Sequence, residues 1–346
     1  MSDTIRHLIL ILGSEFVAFV AALILTPPLI HLLKKYNIRK RIREEAMTGE
    51  KAKNYRQLHL HKEGTPTMGG IIIWGTTLAT VALSRLLSAL GIFDRSLLNR
   101  KETWLPLFTL AATALLGLID DWLNIRSESK GIKVKPKFLW LIAFSLAGAL
   151  WFYYKLGYNQ IHIPFFGDTV IGWLYIPIFI FIIVASANAV NITDGLDGLA
   201  GGLLIIAFTS FGVIAYVKGL FILAALCGVI SGALLAFVWF NIPPAKFYMG
   251  DTGALSLGAT LGVIVMLTDS VLILPIIGFI FVIETLSVII QVFSKKFFHR
   301  KVFSVAPLHH HFEHLGWSEA TIVMRCWIIG GLFAALGLIL ALAGKF

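Results

Sequence analysis

Between Ala187 and Gly202 the chain reads ANAVNITDGLDGLAGG, which spaces Asn188, Asn191, Asp194 and Asp197 three residues apart. Taken as helix, that spacing sets the four side chains on roughly one face. Two carboxylates and two carboxamides on one stripe make a surface for phosphate and metal, not for lipid. Long apolar runs flank the stripe. A charge at mid-bilayer costs about 2.5–3.5 kcal/mol on insertion scales, so polar groups in such a setting are expected to serve a function.

Further polar clusters punctuate the chain. A glycine-rich stretch, HLHKEGTPTMGG, covers His59–Gly70. Its glycines allow either an ordinary turn before a helix or close backbone approach to an anion, and no Walker lysine follows. Asp120 and Asp121 are adjacent at the expected end of an apolar segment. Acids there oppose the helix macrodipole, which favours a metal or general-base role over a simple polar cap. Adjacent carboxylates cannot face the same way on a helix, so the pair is expected to divide its roles. Asn241 and KFYMGDTG, Lys246–Gly253, hold Asp251 at a segment start. Asp251 is read as either an N-cap or a ligand. Oxygen donors from separated loops suit Mg²⁺, which keeps waters and bridges substrate phosphates. His309, His310 and His311 lie together in PLHHHFE. Consecutive residues point in different directions and no cysteine assists, which favours phosphate contact or proton transfer over zinc. Glu284, Ser287 and Gln291 share a helical face, either to bond a neighbouring helix or to line a site.

The elements that must carry these groups are transmembrane. Of 346 residues, 58% are hydrophobic and only 14% charged, with mean hydropathy +0.84; soluble domains carry roughly 25% charged residues. A span needs about 20 apolar residues. Ten are expected: 8–33, 68–90, 104–119, 138–154, 170–189, 199–217, 220–240, 254–268, 271–293 and 321–343. Pro27-Pro28, Pro106, Pro177 and Pro275 are expected at kinks or segment starts. The first span reads as an anchor rather than a cleaved signal. Lysines and arginines set the orientation. Twenty of the 29 fall in the loops that follow odd-numbered spans and seven on the other side. That distribution puts both termini outside and every polar cluster on the cytoplasmic face. The net charge of +10 is thus a topology and anionic-lipid signal, not a nucleic-acid one. An ion-coupled transporter would carry mid-span carboxylates and paired broken helices; only Glu15 and Glu284 lie well inside spans, and no repeat is evident. Cys227 and Cys326 sit in apolar runs and read as buried thiols. The outside segment 158–173 alternates and is read as a small hairpin. The fold class is therefore all-α and polytopic, with one membrane domain over residues 1–346.

GTPTMGG, Asp120-Asp121, NAVNITDGLDGLAGG, the Asn241…MGDTG run and PLHHHFE together resemble the phospho-N-acetylmuramoyl-pentapeptide-transferases. The likeness runs over nearly the whole chain. The Asp-Asp pair and the Asn/Asp stripe are shared with the wider polyprenyl-phosphate hexosamine-1-phosphate transferases, whereas GTPTMGG and PLHHHFE are typical of the muramoyl-pentapeptide branch. The resemblance implies transfer of phospho-N-acetylmuramoyl-pentapeptide from its UDP carrier to undecaprenyl phosphate, with Mg²⁺, in a bacterial cytoplasmic membrane, by a homodimer. A sibling using UDP-N-acetylglucosamine is the alternative. It implies Asp251 as the metal ligand and Asp120 as the base, supported by Asp121. Lys62, Thr67, Asn188, Asn191, Asp194, Gly195, Asp197, Asn241, Tyr248 and Gln291 would line the nucleotide–sugar pocket. Lys137 and His309–His311 would contact phosphate or sugar. Two positions depart from the family pattern. Asn124 stands where the family often has lysine, which leaves Arg126 or Lys130 to supply the charge. Tyr248 replaces a common phenylalanine and can still stack on uracil.

Overall fold

The computed structural model describes residues 2–39, 64–92, 96–98, 103–126, 132 and 134–344. Its long elements are α1 (Asp3–Lys35), α2 (Gly70–Ala89), α3 (Trp104–Arg126) and α4 (Val134–Leu150), which runs on through a π-turn to Lys155. After a two-stranded hairpin come α5 (Tyr175–Thr193), α6 (Leu199–Val217), α7 (Phe221–Asn241) and α8 (Asp251–Leu267). A short turn, α9 (Leu274–Ile277), leads into α10 (Phe279–Phe298), followed by α11 (Leu308–His314) and α12 (Glu319–Ala343).

Among the described residues, eight helices are long and apolar enough to cross a membrane. The other two expected spans fall short for separate reasons. α8 has 17 residues; at 1.5 Å per residue that is about 25 Å, less than the ~30 Å hydrocarbon core. It needs no lipid match, because every residue from Thr252 to Leu267 is buried among other helices. The ninth segment is broken at Gly278 into α9 and α10, and α10 carries Glu284, Lys295 and Lys296. Pro106, Pro177 and Pro275 each sit in the first turn of a helix, where a missing N–H costs no helical bond. Pro27 and Pro28 lie inside α1.

The hairpin forms as the alternation suggested: Gln160–Ile163 pairs antiparallel with Gly167–Val170. Asp269 Oδ1 accepts the His162 N–H at 3.0 Å, and Gly344 O accepts the Phe165 N–H at 3.3 Å. His7 stacks on Phe221 at 3.7 Å between ring centroids, so α1 starts beside the start of α7. The two ends of the described chain thus lie on the hairpin side of the bundle.

Close packing around α8 depends on missing side chains. A β-carbon at Gly117 of α3 would collide with the Asp251 carbonyl, and one at Gly70 of α2 with Gly253. α2 and α3 therefore meet the first turn of α8 at backbone distance, which brings Asp120 and Asp121 up to Asp251.

Candidate active site

The opening stripe does not form one helical face. α5 stops at Thr193, Asp194 is its C-cap, and α6 starts only at Leu199. Asn188 and Asn191 are on the helix; Asp194 and Asp197 belong to the turn between two helices. Glycines at 195 and 198 end the periodicity that the spacing suggested. Asn188 spends its amide on its own helix, donating to Val184 O at 2.7 Å.

That turn is the hub of the polar groups. On one flank, Asn191 Nδ2 donates to Asp251 Oδ1 at 2.7 Å. Lys137 Nζ donates to Asp251 Oδ2, and to Asp120 Oδ2 at 3.1 Å. The Ile132 N–H donates to the other Asp120 oxygen. Two carboxylates from α3 and α8 are thus bridged by one ammonium from α4, with Asp120 only 2% exposed. Among the described residues the cation beside the pair is Lys137; Arg126 instead stacks on Trp122, 4.6 Å from the ring centroid.

Asp120 and Asp121 divide as adjacent residues must, though not at a helix end. The helix continues to Arg126, so neither acid ends it. Asp121 turns to the start of α8: its oxygens accept the Asp251 N–H at 3.1 Å and the Thr252 N–H at 3.0 Å. It caps a helix distant in sequence and so fixes the backbone of Asp251. Asp251 is the first residue of α8 and is itself capped from outside. The preceding Gly250 has φ +73°, and a β-carbon there would sit 2.5 Å from Asp121 Oδ2.

GTPTMGG seats this corner. The Tyr248 N–H donates to Pro66 O at 2.8 Å, Gly69 N–H to Tyr248 O at 2.7 Å and Gly70 N–H to Met249 O at 2.8 Å. The glycines approach the chain's own MGD segment, since a β-carbon at Gly69 would lie 2.6 Å from the Phe247 ring. This answers the anion-cradle expectation: those two N–H groups are already spent. Thr67 is buried beside Gly250 and Tyr248 is half-buried. Lys62 lies outside the described residues, as does Lys130.

On the other flank the turn meets the histidines. His309 is fully buried, and a β-carbon on Gly195 would collide with its Nε2. The three histidines face different partners: His309 Nδ1 meets Glu284 at 3.0 Å, His310 Nδ1 meets Glu313 at 2.6 Å, and His311 lies edge-on to Phe303.

Several expected pocket residues hold the scaffold. Asn241 accepts the Gly198 N–H at 2.9 Å and donates to Phe247 O at 2.8 Å. Asp197 Oδ2 accepts the Ala245 N–H at 2.9 Å. Gln291 accepts from the Val302 and Phe303 N–H groups and donates to Phe303 O, clamping the loop that leads to the histidines. Sequence reasoning missed Glu319 and Trp327, which bond the Asp197 N–H (2.6 Å) and the Gly198 carbonyl (3.3 Å). Both sit in α12, where only an acid at a helix start gave any signal.

A mostly helical membrane bundle with a lysine-bridged carboxylate pair at one end defines a class, and the glycosyl transferase family 4 model matches it over residues 103–269. The first signature of phospho-N-acetylmuramoyl-pentapeptide-transferase matches residues 62–73. Relatives bearing that name include those of Chloroflexus aggregans (40% identical, 94% of this chain and 88% of the relative) and Pelagibacter ubique (38%, 94% and 91%). The Geobacillus kaustophilus relative is 41% identical over 93% of this chain and 95% of its own. The chain belongs to the phospho-N-acetylmuramoyl-pentapeptide-transferase family, and it is an enzyme, a phosphotransferase.

Proposed function

We propose that this enzyme transfers phospho-N-acetylmuramoyl-pentapeptide from UDP-N-acetylmuramoyl-pentapeptide to undecaprenyl phosphate, giving the undecaprenyl-diphosphate-linked sugar and UMP. The observation that carries the reading is the Asp120–Lys137–Asp251 bridge beside Asn191, in a chain whose relatives bear the name of that transferase.

Phosphoryl transfer needs charge neutralisation and in-line positioning more than covalent help. A lipid phosphate oxygen attacks the sugar-bearing phosphorus, the bond to the uridylyl phosphate oxygen breaks, and UMP leaves with that electron pair. Asp120 takes the proton of a monoprotonated lipid phosphate. Lys137 offers its ammonium to phosphate oxygens. The turn from Asn191 to Asp197, with Thr67 and Tyr248 beside it, binds the nucleotide–sugar. Asp121, Asn241 and Gln291 position these groups. The donor set suits Mg²⁺: Asp251, with Asp120 near it, supplies hard oxygens, and one or two carboxylates plus substrate phosphates are what Mg²⁺ uses. Bound there, the ion would neutralise charge on the diphosphate.

In this reading ten segments cross a bacterial cytoplasmic membrane, both termini face outward, and the enzyme is a homodimer. The joint placement of chain ends and hairpin, away from the carboxylates, supports that topology. The test is UMP release with undecaprenyl phosphate and each UDP-sugar in turn. Activity with UDP-N-acetylglucosamine alone would sink the assignment. Trapping a phosphorylated enzyme without lipid would replace direct attack by a two-step route through an aspartyl phosphate.

A further inference from the structure

The hairpin at the end of the bundle away from the carboxylates is polar in its middle and aromatic at both ends. In the middle, His162 Nδ1 meets Asp168 Oδ1 at 2.7 Å, and the His162 N–H reaches Asp269 just past the end of buried α8. At the base, Trp151, Tyr154 and Trp173 are exposed beside the end of α4 and the start of α5. Tryptophan and tyrosine collect at membrane–water interfaces. At the tip, Phe165 is 62% and Phe166 87% exposed. The Phe166 N–H donates to Ile163 O at 3.0 Å and closes a turn in which Pro164 is second and Phe165 third, with φ +70°. Glycine or asparagine is the usual residue for a positive φ at that place. A phenylalanine held there beside a second one marks rings kept for what they contact.

The tip is also fixed in depth. The Phe165 N–H donates to Gly344 O at 3.3 Å, and a β-carbon on Gly344 would come within 2.8 Å of Pro164. Gly344 ends α12, which exposes Ile328, Leu332, Leu336 and Ile339 on one face. Near the other end of that helix, exposed Arg325 lies over Trp317, 4.2 Å from the ring centroid. Nineteen residues separate Arg325 from Gly344, about 28 Å at 1.5 Å each and close to the ~30 Å hydrocarbon core. With the arginine at one boundary of the apolar layer, the tip reaches the other.

We propose that the Pro164–Phe166 tip is an interfacial membrane anchor: Phe165 and Phe166 enter the leaflet on the hairpin side at the boundary of headgroups and acyl chains, and the lipid surface is their partner. Continuity selects that partner, because the tip is seated on the end of a helix whose exposed face is already apolar. The hairpin then straps the end of α8, too short to reach this level itself, to the lipid-facing edge of the bundle. This anchoring depends neither on the reaction nor on which side of the membrane the hairpin faces.

The test uses full-length protein in phosphatidylcholine–phosphatidylglycerol nanodiscs, with Cys326→Ala as background and buried Cys227 left in place. A nitroxide is attached at Phe166→Cys. Electron paramagnetic resonance reads its collisions with oxygen, which concentrates in lipid, and with a nickel chelate, which stays in water. Thr169→Cys, exposed on the returning strand, is the water reference, and Ile339→Cys on α12 is the lipid reference. The oxygen-to-nickel ratio at 166 should stand severalfold above that at 169 and approach that at 339. A ratio equal to that at 169 leaves the tip in water and overturns the proposal. Few collisions with either reagent overturn it too, since protein, whether a second copy or the chain's own end, would then cover the tip. Phe166→Trp gives a reading without a label. Its added emission over the nine native tryptophans should be quenched by lipid brominated high on the acyl chain and not by aqueous iodide; the reverse pattern overturns the anchor.

Discussion

Asp121→Asn separates the two acids of the Asp120-Asp121 pair. Asp121 is buried, and its two oxygens each hold one N–H at the start of α8. Asparagine has one acceptor oxygen, so its NH₂ must confront the other N–H. A hydrogen bond to a charged group contributes about 1.5–3 kcal/mol, and a buried donor left unpaired costs about 1–3 kcal/mol. Partial relaxation of the turn brings the expected loss to about 2–4 kcal/mol. At roughly 2 °C per kcal/mol for a chain of this size, the Tm of detergent-solubilised protein should fall by roughly 4–8 °C. Well below that Tm, UMP release by the folded protein should stay within about tenfold of wild type. Asp120→Asn should instead lose about 10²–10⁴ in turnover, the usual range for a general acid or base, far more than Asp121→Asn at the same fraction folded. An Asp121→Asn protein with wild-type Tm and turnover as low as Asp120→Asn would refute the capping argument and return Asp121 to the chemistry.

Lys137→Met leaves Asp120 and Asp251 without the ammonium that bridges them; turnover should fall about 10²–10³-fold, and a steady-state assay showing less than a tenfold loss would count against the bridge as part of the site. Gly195→Ala would drive a β-carbon into the buried His309 ring, so Tm should fall, by overpacking of about 1–3 kcal/mol, and KM for the UDP-sugar should rise about tenfold; an unchanged Tm and KM would contradict the placement. On the opposite side, burial pushes the Asp269 carboxyl above its usual range, against the His162 N–H and Lys218, which lower it. The folded state therefore binds this proton more tightly than the unfolded chain, and the group's contribution to stability falls as pH rises from the ordinary aspartate range through the raised value. Asp269→Asn keeps an acceptor for His162 and removes that slope, so the Tm difference between variant and wild type should grow in the variant's favour over this window. A difference independent of pH would show that Asp269 does not titrate as described.

The membrane class, the approximate place of each apolar segment and the hairpin followed from composition and periodicity. Burial of lipid-facing and core side chains alike demands apolar sequence, and the 20-residue requirement leaves its mark on a single chain. The same rule blurred α8, which is short because it is wrapped by protein, and α10, where a break at Gly278 and buried Glu284 serve neighbours instead of lipid.

Residue types and spacing alone marked Asp120, Asp251, Asn191 and His309 as unusual, because charge and carboxamide between apolar runs are costly wherever they lie. The division of labour among them was decided only by tertiary structure. Hydrogen-bond partners here are separated by 60, 114 or 130 residues, and no local pattern encodes which acid meets an ammonium and which meets a helix start. The glycines of GTPTMGG suit either a turn or an anion cradle, and only the MGD segment packed against them shows what their backbone meets. What remained open in the sequence was which polar group faces substrate and which holds the frame. Helix crossings at Gly117 and Gly70 settle much of that, by setting how closely the chain's own backbone approaches itself.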